Sequence, residues 1–277
     1  MRTAIGIFLS ILSLAASAGE GLLVPAYFYP PSSEWNQLFD AATKVPLIAI
    51  VNPGSGPGPS VDANYTSALA SLHLAGGKAV GYVHTSYGTR AASAVKAEID
   101  SWFSFYPSVD GIFIDEMDNT SGKLAYYQDL YAYVQGKKAG AYLVGNPGTA
   151  SATDTGYLGP VTPAADVLVI FEDSAANYAS ATPPDWVKSY DASHFAAIVH
   201  TEASADGMTA DVAKARARHE ALVFVTDDVE PNPYDTLPPY WSGEVSAVRG
   251  NASGSSGGAF SAGPLLWLAA LLRRRRR

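Results

Sequence analysis

The run Val109-Asp110-Gly111-Ile112-Phe113-Ile114-Asp115-Glu116-Met117 decides how this chain is read. Its β-branched and aromatic centre has no polar alternation, so it reads as a strand buried on both faces, and it ends on two adjacent carboxylates. Seven further apolar runs have the same character: Leu22 to Tyr29, Val45 to Val51, Lys78 to Thr85, Ala141 to Gly145, Ala165 to Glu172, Phe195 to Thr201 and Ala221 to Thr226,. With Val109 to Asp115 in sequence, their starts lie 23 to 33 residues apart. Between them Val61 to Ala75, Thr89 to Phe105, Gly122 to Lys138 and Met208 to Glu220 carry helical spacing,. Eight such alternations predict an α/β fold with a parallel sheet covered all round, most simply a single-domain (β/α)8 TIM barrel. An open doubly wound sheet is the alternative, but no Gly-rich phosphate turn follows the first strand.

Composition narrows the function. Of 277 residues 48% are apolar and 16% charged, enough to build a core and too apolar for disorder,. Setting aside Arg2 and Arg273 to Arg277 leaves 12 basic against 26 acidic residues, so the body lacks the basic footprint of a nucleic-acid binder,. A neutral or cationic ligand fits better. With no cysteine, disulfides, thiolate metal sites and cysteine nucleophiles are excluded,. His84, His200 and the aspartates share no metal-ligand spacing, so neither a metal nor another cofactor is expected.

The two ends read as addresses. Residues 1–18 have a basic start at Arg2, an apolar stretch from Ile5 to Leu14 and the small-residue site Ala16-Ser17-Ala18, the order of a secretory signal,. Residues 251–277 run through a Gly/Ser linker, a 14-residue stretch from Ala259 to Leu272 that falls short of the about 20 residues of a bilayer span, and five arginines,. This order resembles the Gly-Gly type C-terminal sorting tags of bacterial surface proteins. The reading is of an exported monomer, extracellular or on the cell surface, touching membrane only through its tail. Residues 19–250 then form the barrel domain.

Barrels of this class carry their chemistry at the C-terminal ends of the strands. Those positions hold Tyr27 and Tyr29, Asn52, His84 with Tyr87 and Arg90, Asp115 with Glu116 and Asp118, Asn146, Glu172 with Asp173, His200 with Glu202, and Asp227 with Asp228. Hydrogen-bonding groups among flat rings suit a sugar, whose hydroxyls need partners and whose C–H faces need surfaces. An acidic pair at a strand end also serves as a helix cap or solvated turn. Glu172 adds weight, because it ends a strand two places further round, which puts its backbone about 10 Å from Asp115. Asp115, Glu116 and Glu172 are therefore the candidate catalytic carboxylates. Tyr27, Asn52, His84, Tyr87, Arg90, Asn146, His200, Asp227 and Trp241 are the candidate substrate contacts. Asn52 and Asn146 each precede Pro and Gly, so turn chemistry accounts for them equally well. Trp241, after the Pro-rich loop Pro231 to Pro239, is either a stacking platform or a plug on the last helix. Because alternate strand residues face opposite ways, Asp115 and Glu116 can share the mouth only if the strand breaks there.

Val24-Pro25-Ala26-Tyr27-Phe28-Tyr29-Pro30, the loop at 52–58, Gly81-Tyr82-Val83-His84-Thr85-Ser86-Tyr87-Gly88 and Asp110 to Glu116 together resemble the spherulin-4 family, with Asn64-Tyr65 and Asn146-Pro147-Gly148 also fitting. The resemblance covers Leu22 to Val248. It implies a (β/α)8 glycoside hydrolase acting inside chains of α-1,4-linked galactosamine or N-acetylgalactosamine, with Asp115, Glu116 and Glu172 in the places of the family's essential acids. The alternative function is a non-catalytic surface or coat protein holding polysaccharide in the same groove; metal-dependent deacetylation ranks last.

Overall fold

The computed structural model describes residues 20–254, so the signal at 1–18 and the tail from Ser255 onward lie outside the described residues. Eight parallel strands close into a barrel in chain order: β1 (Gly21–Ala26), β2 (Leu47–Val51), β3 (Lys78–His84), β4 (Gly111–Asp115), β5 (Tyr142–Gly145), β6 (Val167–Ser174), β7 (Phe195–His200) and β8 (Leu222–Val225). Each falls on one of the apolar runs, and β1, β2, β7 and β8 are buried along their whole length. A strand with no solvated face forms only inside a sheet wrapped by helices.

Among the described residues seven α-helices do the wrapping: α1 (Ser33–Ala42), α2 (Ala63–Leu74), α3 (Ala92–Phe105), α4 (Leu124–Lys137), α5 (Ala175–Ser180), α6 (Ala205–Ala217) and α7 (Trp241–Gly254). The starts of α2 and α6 follow from capping. Asp62 accepts from Asn64 N–H ahead of α2, and Ser204 accepts from Gly207 N–H ahead of α6, supplying partners to helix amides that have none inside the helix,. The Ser204 cap moves α6 a few residues ahead of the predicted Met208 start. Helix propagation also carries α7 over Asn251–Gly254, into the stretch read as linker,.

The alternation is not fully regular. Between β5 and β6 the segment 146–166 contains no helix among the described residues, because Pro147, Gly148, Gly156, Gly159, Pro160 and Pro163 interrupt it,. Tyr157 anchors this loop from inside, 1% exposed, with its hydroxyl donating to the Thr120 carbonyl at 2.5 Å.

Gly111, the first residue of β4, shows how closely the strands approach. A Cβ there would sit 1.7 Å from the Tyr142 carbonyl oxygen of β5, and a backbone atom cannot step aside,. Gly111→Ala is expected to cost at least about 2 kcal/mol, the upper part of the overpacking range, read as a lower urea midpoint at unchanged m-value; an unchanged midpoint would contradict this packing.

Candidate active site

Two irregular strand ends bring the acids together. A residue in a regular parallel ladder bonds to neighbours two apart on the adjoining strand. Asn146 instead donates its N–H to Ile114 O at 2.8 Å and accepts from Met117 N–H at 2.9 Å, so Asp115 and Glu116 both face it. Glu116 takes up the extra length in the left-handed region, φ 48°, its carbonyl pinned by Thr85 Oγ1 at 2.8 Å and Tyr87 N–H at 2.7 Å. The strand thus breaks at Asp115, as the adjacent acids require.

In β6 the register against β7 slips between Val169 and Phe171. Leu168 and Ile170 line a small pocket with Trp186, and Phe171 packs on Tyr178 of α5 with ring centroids 4.6 Å apart. Strict alternation from Leu168 and Ile170 would send Glu172 outward with them. The extra residue resets the period and turns Glu172 to the interior.

Asn146 joins the two carboxylates. Its Nδ2 donates to Asp115 Oδ1 at 2.8 Å and to Glu172 Oε2 at 2.6 Å, so those oxygens can be no more than about 5.4 Å apart, the two bonds laid end to end,. Gly148 N–H donates to Asn146 Oδ1 at 2.9 Å, which fixes which end of the amide faces the acids,. Gly148 takes φ 66° to turn that N–H back, a conformation glycine adopts without penalty,. Each acid also receives a phenol: Tyr82 donates to Asp115 Oδ2 at 2.7 Å and Tyr234 to Glu172 Oε1 at 2.5 Å. Tyr27 stands edge-on to both phenols, at 6.0 Å from Tyr82 and 5.6 Å from Tyr234.

The electrostatics separate the acids. Burial pushes the Glu172 carboxyl above the ordinary glutamate range and the Asp115 charge pushes the same way, against the Tyr234 and Asn146 hydrogen bonds and the His200 ring,. Burial first, then neighbouring carboxylates, holds Tyr27, Tyr82 and Tyr234 above the ordinary phenol value, so all three keep their protons near neutral pH. Glu116 is set apart on the rim, its side chain 41% exposed and Oε2 3.4 Å from His84 Nδ1.

Of the other candidates, Tyr87 is exposed beside Glu116 with φ 55°. His200 is buried, its Nδ1 2.8 Å from Thr201 Oγ1 and its Nε2 3.7 Å from Glu230. Asp227 has its carboxyl raised by burial and by Asp228. Asn52 Oδ1 accepts from Gly56 N–H at 2.8 Å, which closes its own loop. Arg90 grips Glu98 with both terminal nitrogens and donates to the His84 carbonyl, so its fork is already engaged as a clamp. Trp241 is the plug rather than the platform: it is 4% exposed, packs on Phe224, and donates its indole N–H to Gln37 O. Tyr82 and Tyr234 were not among the candidates. Tyr82 lies two residues before His84, so the period of the strand could have found it; Tyr234 sits in the Pro-rich loop, where no period operates. Among the described residues no three His, Asp or Glu side chains form a group that could hold a metal ion.

A closed parallel barrel with a bridged carboxyl couple at its C-terminal mouth belongs to the glycoside-hydrolase-like class of (β/α)8 folds. The chain is a member of Spherulation-specific family 4, which it matches over residues 21–248. Spherulin-4 of Physarum polycephalum is 38% identical over 255 residues, covering 87% of this chain and 74% of that protein. Sph3 of Aspergillus clavatus, solved in complex with GalNAc, is 27% identical with a TM-score of 0.71, covering 84% of this chain and 98% of Sph3. An α-amylase of Geobacillus thermoleovorans, complexed with acarbose, shares the fold alone, at TM-score 0.52 and 10% identity over 84% of this chain and 78% of its own.

The raised Glu172 titration can be read directly. A 13C carboxyl NMR titration is expected to place its midpoint above the ordinary 4.5. Tyr234→Phe should move it higher still, since the lost bond favours the charged form. A parent midpoint at or below 4.5 would contradict the burial argument.

Proposed function

We propose that the protein is an exported glycoside hydrolase that cuts internal α-1,4 bonds of a galactosamine- or N-acetylgalactosamine-containing exopolysaccharide, with retention of configuration. The observation that carries this reading is the single amide nitrogen bonded to both Asp115 and Glu172. It holds the bridged oxygens, Asp115 Oδ1 and Glu172 Oε2, no more than about 5.4 Å apart, compatible with the about 5 to 5.5 Å of a retaining pair and shorter than the about 6.5 to 9.5 Å that leaves room for an inverting water,. The GalNAc bound in the related Sph3 supports the choice of sugar.

In this reading Asp115, oriented by Tyr82 and Asn146, attacks the anomeric carbon. Glu172, whose burial favours the neutral form, gives its proton to the departing glycosidic oxygen,. In the second half Glu172 takes a proton from water, and that water displaces Asp115 from the sugar. Glu116, with His84 and Tyr87 on the rim, holds the sugar in place rather than exchanging protons with the glycosidic oxygen. The extracellular placement rests on residues 1–18 and is part of the proposal.

Asp115→Asn and Glu172→Gln keep size, and each new amide can accept from Asn146 while its NH2 donates to the phenol oxygen of Tyr82 or Tyr234, so both should fold with melting temperatures close to the parent's,. Each should release fragments from galactosaminogalactan at least about 10²-fold more slowly than the parent, the low end of what one general acid or base contributes. Parental rates in both variants would remove the catalytic claim. Polymer binding with no hydrolysis by the parent would establish the binding-protein alternative instead.

A further inference from the structure

A cavity of about 390 Å³ opens beyond the ends of β1 and β2, among Tyr29, Pro57, Pro59, Val61, Asp62 and Tyr106. We propose that it is a second sugar subsite, remote from the bond that is cut, in which a hexosamine ring of the polymer lies on the face of Tyr29 and donates a hydrogen bond to Asp62. This inference rests on the glycosidase reading above and extends it to how the enzyme holds a long chain.

An exposed tyrosine alone means nothing, since apolar atoms make up much of any surface. Tyr29 is different because it is 53% exposed and yet fixed. Its hydroxyl donates to Asp62 Oδ2 at 2.8 Å and accepts from Asn64 Nδ2 at 2.9 Å, while Tyr65 abuts the ring edge-on at 5.6 Å and 84°. A ring tethered at its tip and packed at near right angles on a second ring has lost its rotamer freedom before any ligand arrives, which is what a stacking platform requires,. Asp62 is as firmly placed: Oδ1 accepts from Asn64 N–H at 2.8 Å, and its own N–H donates to Tyr106 Oη at 3.1 Å. The Tyr29 hydroxyl and the Asn64 amide hold its carboxyl below the ordinary aspartate range, so it remains an acceptor wherever the enzyme works. A ligand must therefore bring hydroxyl or ammonium donors together with a flat C–H face, the combination an amino sugar offers.

Position supports the same reading. Tyr27 touches the two phenols that hold the catalytic couple. Tyr29 follows two residues later, a reach of at most about 7 Å along the backbone. A chain leaving the couple over β1 and β2 thus meets Tyr29 next. The Asn52 to Gly58 loop, closed by the Asn52 to Gly56 bond, supplies Pro53, Pro57 and Gly58 to the same cavity, which gives that loop a purpose the carboxylate chemistry does not.

The test is the length dependence of kcat/KM over a ladder of α-1,4 galactosamine and N-acetylgalactosamine oligosaccharides. The parent should gain with each sugar until the subsite is filled. Tyr29→Ala should remove about tenfold of that gain, the order of one aromatic contact, through KM rather than kcat. Tyr29→Phe and Asp62→Asn keep the ring and the helix cap, so they carry the test if the alanine variant fails to fold, and each should remove part of the gain. A length gain that survives intact in the folded variants would overturn the subsite. Should the parent cleave nothing in the ladder, the glycosidase reading fails separately. The subsite is then judged on Tyr29 ring NMR shifts with the same sugars: shifts support it, and unmoved resonances overturn it.

Discussion

Two carboxyl groups bonded to one amide nitrogen repel each other when both are charged, and holding them together without neutralising both is the constraint that organises this site,. Asn146 meets it. Its amide has two N–H bonds, each directed at one carboxylate, and a carbonyl oxygen that Gly148 N–H holds in place. A lysine or arginine there would keep both acids charged; a hydrophobic residue would leave buried oxygens unpaired. The neutral amide tethers both and leaves burial to decide which one takes the proton, and burial selects Glu172.

Such a bridge works only if the strand ends deliver the carboxyls to it, and both ends depart from regular geometry to do so. The doubled opposition of Asp115 and Glu116 to Asn146 aims one acid inward and sends its neighbour to the rim. The slip after Val169 reverses the facing of β6 so that Glu172 points where Ile170 does not. Extra residues of this kind are local and tolerable because the surrounding ladder and core are continuous. Around them Tyr82 and Tyr234, both packed at near right angles on Tyr27, hold one phenol against each acid.

The barrel was legible because its strands are buried on both faces, which writes each of them into the chain as an uninterrupted apolar run ending in polar groups. Asp115, Glu172 and Asn146 stand at those endings, so reading only strand ends found them. Tyr234 was not legible, since it reaches Glu172 from 62 residues away through a loop with no period. Trp241 and Arg90 were ambiguous for a shared reason: an aromatic ring or a guanidinium near a mouth serves equally to meet a ligand or to plug or clamp the scaffold, and only the structure shows the scaffold partners Gln37 and Glu98. The separation of Glu116 from its neighbour depends on a left-handed backbone at a non-glycine residue, which side-chain identity alone does not encode,. The helix missing between β5 and β6 was signalled by its prolines and glycines, although the regular spacing of the strands argued for eight equal units.

In the proposed mechanism one bridged pair, Asp115 and Glu172, performs both halves of a double displacement. The stereochemical course of hydrolysis separates this from a single direct attack by water. Proton NMR of the first reducing ends released from an α-1,4 galactosamine-containing oligosaccharide should show the α-anomer, ahead of its equilibration with the β form. Initial appearance of the β-anomer would mean direct attack by water, and would contradict the account of the couple given by its spacing.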